Sequence, residues 1–177
     1  MMRTKDTTRI YAFGTGLIGF IIILVYLSTD NVKKEPLRPG MMIPRIEYLS
    51  EEGLQQLAPR SGRYQLIILF NKNCRVCTRQ LDAFNEEDTL NQMIDILFIT
   101  TDVGFLVNKG AQNWKNLSSK DQIEFGIIKR RRFLNKFGSL ITPSYYLFGQ
   151  NGKLIWQAKG KVPLAQINMI LLRSISH

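Results

Sequence analysis

The chain's only two cysteines stand three positions apart, in Asn73-Cys74-Arg75-Val76-Cys77. They come just after the apolar run Leu66-Ile67-Ile68-Leu69-Phe70. A thiol pair at this spacing, where a buried strand turns into a helix, can pass between dithiol and disulfide. Cys74 would then lie at the mouth of the helix and Cys77 one turn inside it. Unpaired backbone N–H groups and the positive helix end favour a thiolate at Cys74. Lys72, Arg75 and Arg79 add positive charge of the same effect. This makes Cys74 the expected nucleophile and Cys77 the resolving thiol. Stabilising the thiolate stabilises the reduced form, so the charges should make the pair more oxidising.

The other uses of such a pair are less well served. A zinc site needs four ligands, yet there is no second CxxC and the only histidine is His177. Neither a metal nor a cofactor is expected. Two cysteines are too few for a scaffold of staples. A buried, inert pair stays open on the cysteines alone.

The strand that must present the dithiol is read over Tyr64–Phe70, with a second at Ile94–Thr100. Both are nearly continuous apolar runs, as strands covered on two faces should be. Further strands are read over Ser144–Phe148 and Leu154–Lys159, joined by Gly149-Gln150-Asn151-Gly152, a hairpin signal. A helical pattern runs from Cys74 through Leu81 and Phe84, and a terminal one from about Pro163 through Ile167, Ile170 and Leu171. Ser119 with Gln122 resembles a capping box, which predicts a helix over 119–136 with Ile123, Ile127 and Leu134 on one face and Gly138 at its end. A short helix is expected over Glu51–Leu57. Residues 102–118 show no clear pattern; a short helix and strand, or a loop near the dithiol, would fit. The order of elements predicts an α/β fold, a mixed sheet with helices on both faces.

Ahead of this lies an uncharged stretch, Ile10 to Leu27, which as a helix spans roughly 27 Å, close to a bilayer core. Tyr11 and Tyr26 sit where interfacial aromatics belong. A cleaved signal peptide is the competing reading, but the apolar stretch is long for one and no A-x-A-like site follows Leu27. The expected organisation is therefore a short cytoplasmic end over 1–9, a single transmembrane anchor over 10–27, a Pro-containing tether over 28–39 and one domain over 40–177. The basic residues flanking the span are nearly balanced. A redox dithiol makes best sense outside the cytoplasm, which favours an extracytoplasmic or periplasmic domain.

The formal charge of +10 belongs mostly to the folded part, because residues 1–30 hold Arg3, Lys5 and Arg9 against Asp6 and Asp30. The densest cluster, Lys129-Arg130-Arg131-Arg132, has no interleaved aromatics. It reads as a solvated helix face, with lipid headgroups or an acidic partner as the next reading, and no nucleic-acid partner is expected.

A second feature supports the dithiol: Ile141-Thr142-Pro143-Ser144-Tyr145-Tyr146, followed by Asn151-Gly152-Lys153-Leu154. With the strand–CxxC–helix upstream, this resembles the thioredoxin fold. Gly40-x-x-x-Pro44 followed by Ile46-Glu47-Tyr48, and the closing Phe137-Gly138 … Thr142-Pro143 … Gly152 … Gly160, look like the TlpA/ResA-like, membrane-anchored branch. The resemblance covers about Gly40 to Leu172. It implies a thioredoxin-like domain in which a cis-proline, matched by Pro143, faces the dithiol, and Thr142 offers its backbone to an extended substrate. It further implies disulfide exchange with a dedicated client protein, such as an apocytochrome during cytochrome c maturation, and an upstream membrane redox donor.

This chain departs from the family at Asn73, where Trp is usual, at Arg75-Val76, where the family has a Pro, and at Ile68, where thioredoxins place a buried acid. Glu86 or Glu87 is the carboxylate read as reaching the site in its place. These departures favour a dedicated client over general reductase activity. Peroxidase activity needs a T-x-x-C loop, and position 71 is Asn. A copper chaperone of CxxxC type is disfavoured by spacing and by the lack of an internal histidine. The rival from another class is a non-catalytic, membrane-tethered adaptor that uses the basic 119–136 segment as its contact surface.

Overall fold

The computed structural model describes residues 36–87, 94–107 and 110–175. The apolar stretch over 10–27, the residues flanking it and His177 lie outside these described residues. Among the described residues no helix is long and apolar enough to cross a membrane.

Among the described residues seven strands form one mixed sheet: β1 (Ile46–Ser50), β2 (Gly53–Leu57), β3 (Tyr64–Phe70), β4 (Ile94–Thr100), β5 (Ile123–Ile127), β6 (Ser144–Phe148) and β7 (Leu154–Lys159). Their order across the sheet is β2-β1-β5-β4-β3-β6-β7. β3 runs parallel to β4, and β4 parallel to β5. β6 joins β3 antiparallel, and β7 closes that edge as a hairpin partner of β6. Every residue of β3, β4 and β6 is buried. Helices on both faces require this, and it explains the continuous apolar runs.

The helices are α1 (Arg75–Glu86), α2 (Gly104–Val107), α3 (Lys115–Ser118), α4 (Arg130–Phe137) and α5 (Leu164–Ile175), with a 3-10 turn at Gly110–Trp114. Alternation along β3 divides the core. Leu66, Ile68 and Phe70 face a cluster with Cys77, Leu81 and Phe84 of α1 and Ile167 and Leu171 of α5. Ile67 and Leu69 face Phe133 and Phe137 of α4. On α1, Cys77, Gln80, Leu81 and Phe84 are buried, the spacing of one helical face. On α4, the rings of Phe133 and Phe137 stack at 4.3 Å, and Phe137 lies 4.7 Å from Tyr146. Gly138 ends α4 in the left-handed conformation, its N–H donating to Leu134 O at 2.9 Å.

Two expected helices are not as read. Residues 119–136 are not one helix: Ile123–Ile127 form β5, and α4 starts only at Arg130. Phe125 and Ile127 alternate into a slot beside β4, and Leu134 is 43% exposed. Ser119 caps no helix start. It closes α3, with its hydroxyl donating to Asn116 O. Glu51–Leu57 is likewise no helix but the turn and second strand of a hairpin, in which Ser50 pairs with Gly53. Gly53 has φ +113, so a glycine suits the turn where Glu51-Glu52 reverse the chain. Residues 102–118, unpatterned in sequence, hold α2, the 3-10 turn and α3.

The folded unit starts at Pro36, and Leu37 is buried in the α4-side core. Gly40 to Ile43 then runs beside the β6–β7 hairpin. Gly40 N–H donates to Leu154 O and Ile43 N–H to Gly152 O, both at 2.8 Å.

Candidate active site

β3 ends at Phe70, and a tight turn brings the chain round into α1. Asn71 builds the turn: its side-chain oxygen accepts Asn73 N–H at 2.8 Å, and its carbonyl accepts Cys74 N–H at 3.0 Å. Cys74 is the N-cap of α1. Its sulfur accepts the Cys77 N–H at 3.3 Å, which satisfies one of the helix's unpaired donors. Both cysteines are free thiols. Cys74 is half-buried and Cys77 is buried.

The two thiols are tuned apart. At Cys74 burial pushes the thiol up, but hydrogen bonds from the Cys77 thiol and N–H, the Thr142 side chain and Val76 N–H outweigh it and hold the thiol below its ordinary value. At Cys77 burial pushes the thiol up, and its hydrogen bond with Cys74 adds to the rise. The accessible sulfur is thus the better thiolate and the enclosed one the poorer.

The cis peptide Thr142–Pro143 faces this pair. The Thr142 carbonyl lies 3.7 Å from the Cys74 sulfur. Pro143 is buried at the start of β6, where its missing N–H costs no ladder bond. Thr142 and Pro143, both expected at the site, therefore stand beside Cys74.

The three expected charges are placed differently from one another. The Lys72 ammonium pairs with Asp102 at 2.9 Å. Arg75 and Arg79 are exposed on the first turns of α1. The lowering at Cys74 comes from hydrogen bonds rather than from these cations. Asp102 follows β4, so its pair with Lys72 ties the loop before α1 to the loop before α2. Sequence pattern alone had no way to show this pairing, because the two residues meet only through the parallel β3–β4 register.

Ile68 is 1% exposed, and no carboxylate stands in its place. Glu86 and Glu87 end α1, about 18 Å along the helix from Cys74, and do not reach the site. What lies across from Ile68, on β6, is Tyr145. Its hydroxyl is buried and has no hydrogen-bond partner. In sequence Tyr145 stands two residues past Pro143, and nothing in the pattern marks its hydroxyl as unpaired. Val76, two residues past Cys74, Ile141, next to Thr142, and Val103, next to Asp102, are exposed apolar side chains. Among the described residues no group of three His, Cys, Asp or Glu side chains is placed to hold a metal ion.

No family model matches the sequence, and no curated protein is detectably similar to it. Solved structures do match the fold. The thioredoxin domain of a thiol-disulfide oxidoreductase from Bacteroides vulgatus superposes with TM-score 0.61 at 16% identity, over 78% of this chain and 99% of that one. A peroxiredoxin-like protein from Aquifex aeolicus gives TM-score 0.62 at 14% identity, over 75% and 85%. An exposed lipoprotein thioredoxin from Streptococcus pneumoniae gives 0.56 at 16% identity, over 73% and 99%. At such identities the likeness is one of fold, and the fold is thioredoxin-like: a mixed sheet with helices on both faces, a CxxC at the mouth of α1 and a cis-proline facing it.

Proposed function

We propose that the protein is a thiol–disulfide oxidoreductase that exchanges disulfides with a dedicated client protein. One observation carries this reading: the Cys74 sulfur is held at the α1 mouth by Cys77 N–H and faces the Thr142 carbonyl beside cis-Pro143.

The chemistry follows from the two unequal thiols. The Cys74 thiolate attacks one sulfur of a client disulfide; a Cys74–client bond forms, and the other client sulfur leaves as thiolate. Cys77 then attacks the Cys74 sulfur. The Cys74–Cys77 bond forms, the Cys74–client bond breaks, and the Cys77 proton passes to the departing client sulfur. The client gains two electrons and the pair loses two. Run backwards, the same steps oxidise a client. The Thr142 backbone gives an extended client segment an edge to bind, and Val76, Val103 and Ile141 give it apolar contacts.

Position 71 is Asn, so the peroxidase chemistry of peroxiredoxin-like neighbours lacks its T-x-x-C loop here. The departures from a general thioredoxin, Asn73 and Ile68 above all, favour a dedicated client, such as an apocytochrome or another protein awaiting its cofactor. The reading extends to setting. The uncharged stretch 10–27 supports a single-pass anchor, the dithiol supports an extracytoplasmic side, and a membrane thiol donor would return the electrons.

The test is mixed-disulfide trapping. Cys77→Ser should hold client proteins covalently through Cys74, and Cys74→Ser should abolish the trap. If neither variant traps anything and the double serine variant supports normal function, the chain is a non-catalytic adaptor and the reading fails.

A further inference from the structure

Three buried side-chain polar atoms among the described residues have no hydrogen-bond partner: Gln80 Nε2, Tyr145 OH and Tyr146 OH. Tyr146 belongs to the α4 side, packed on Phe133 and Phe137. The other two sit with the dithiol. Gln80 lies one turn past Cys77 on the buried stripe of α1. Tyr145 is in the same core cluster as Cys77, fully buried, and pairs across the ladder with Ile68. A lone buried hydroxyl is costly if it is never satisfied. A phenylalanine would fill the same space beside Trp156, whose ring lies 6.2 Å away, at no such cost. The hydroxyl is therefore spare in this state and available to a partner in another.

Resting on the thiol–disulfide reading, we propose that the Tyr145 hydroxyl is the buried hydrogen-bond donor to Cys77 when that thiol ionises in the resolving step. Cys77 is the enclosed, poorer thiolate of the pair. It must lose a proton to attack Cys74, and Ile68 offers it no acid or base. The titratable groups that act on Tyr145 are Cys77 and Cys74, and burial together with their charge keeps the phenol protonated. A group so placed stays a donor. It gives a hydrogen bond to the forming Cys77 thiolate and keeps its own proton, while the Cys77 proton goes to the departing client sulfur. The donation lowers the cost of the thiolate without a charged partner in the core.

The experiment is a titration of Cys77 in the reduced full-length chain, read from the ¹³C shift of its Cβ in a Cys74→Ser background. Adding Tyr145→Phe should raise the Cys77 midpoint and cut the Cys77 thiolate fraction at fixed pH about tenfold. The melting temperature should hold or rise, because an unpaired hydroxyl has been removed, so a purely structural role would leave the titration unmoved. 3-Fluorotyrosine placed at position 145 keeps the ring and makes a stronger donor, so it should move the midpoint the opposite way. It decides the question if Tyr145→Phe fails to fold. A Cys77 midpoint that neither replacement moves would overturn the proposal. Client trapping is read separately: lost trapping with a shifted titration sinks the exchange reading, and intact trapping with an unmoved titration sinks the tyrosine.

Discussion

The Cys77 N–H donates to the Cys74 sulfur at 3.3 Å, so the resolving residue's own backbone helps to charge the nucleophile. Burial raises the Cys77 thiol while hydrogen bonds hold the Cys74 thiol down. The reduced protein at neutral pH should therefore be alkylated by iodoacetamide at Cys74 first, at least about tenfold faster than at Cys77. Peptide mapping after a short pulse measures this. Equal labelling, or Cys77 first, would reverse the assignment of nucleophile and resolver.

The same asymmetry sets how stability depends on pH. A group raised on folding contributes stability that is complete below its unfolded value and is lost as pH rises through the folded one. Cys77 is raised from 9.0 to about 11, so this contribution fades across that window. Cys74, held low, works in the other sense: its contribution is complete above the unfolded value and is lost as pH falls through the folded one. The unfolding free energy of the reduced protein, from urea titrations, should fall between pH 9.0 and about 11, by up to about 1–2 kcal/mol once partial screening is allowed for. The oxidised protein, with no thiols to titrate, should fall less. Equal slopes for the two forms would mean that Cys77 is not the group responsible.

Lys72 and Asp102 predict a change in reactivity larger than the change in stability. The Lys72 hydrogen bond holds the Asp102 carboxyl below its usual range, and Asp102 also accepts Gly104 N–H at the start of α2. The pair is partly exposed, so Asp102→Asn should cost under about 1 kcal/mol, the more so because an Asn keeps the cap. It also frees the ammonium of Lys72, two residues before Cys74 in the chain. Cys74 alkylation at mildly acid pH should then quicken a few-fold, and the gain should vanish in high salt. Unchanged alkylation would show that the cation is too far away or too hydrated to matter.

What the sequence revealed and what it hid follow one physical line. β3, β4 and β6 are buried on both faces, so their apolar runs were readable and their limits came out at Tyr64–Phe70, Ile94–Thr100 and Ser144–Phe148. The CxxC and the Thr-Pro step were readable because cysteine and proline carry their chemistry in their identity. β5 was hidden because Ile123 and Ile127 are four apart, a spacing that helices share, and because the basic run beyond them belongs to a real helix. The β1–β2 hairpin was hidden because Glu51-Glu52 is an unremarkable turn pair and only Gly53 marks it. Tyr145 was hidden because no pattern shows that a hydroxyl lacks a partner. That is a property of packing, as is the pairing of Lys72 with Asp102.

β5 yields the sharpest test of the fold. Tyr48 of β1 lays its ring over Gly126, and a methyl built there would stand 2.5 Å from Cδ2 of the ring. The ring cannot swing aside freely: Tyr48 is 4% exposed, and its hydroxyl donates to Glu124 at 2.8 Å. β1 meets β5 only through Leu49 and Ile127 in register, so this ring closes much of their contact. Gly126→Ala should therefore destabilise the protein by about 1–3 kcal/mol, an overpacking cost. Tyr48→Ala is destabilising by itself, yet in its background the same glycine change should cost far less, because the clash is gone. Chemical denaturation of the four proteins in this double-mutant cycle gives the coupling directly. A Gly126→Ala cost that stays the same with Tyr48 present or absent would show that backbone freedom, not the ring, demands the glycine, and the packing of β1 on β5 would have to be redrawn.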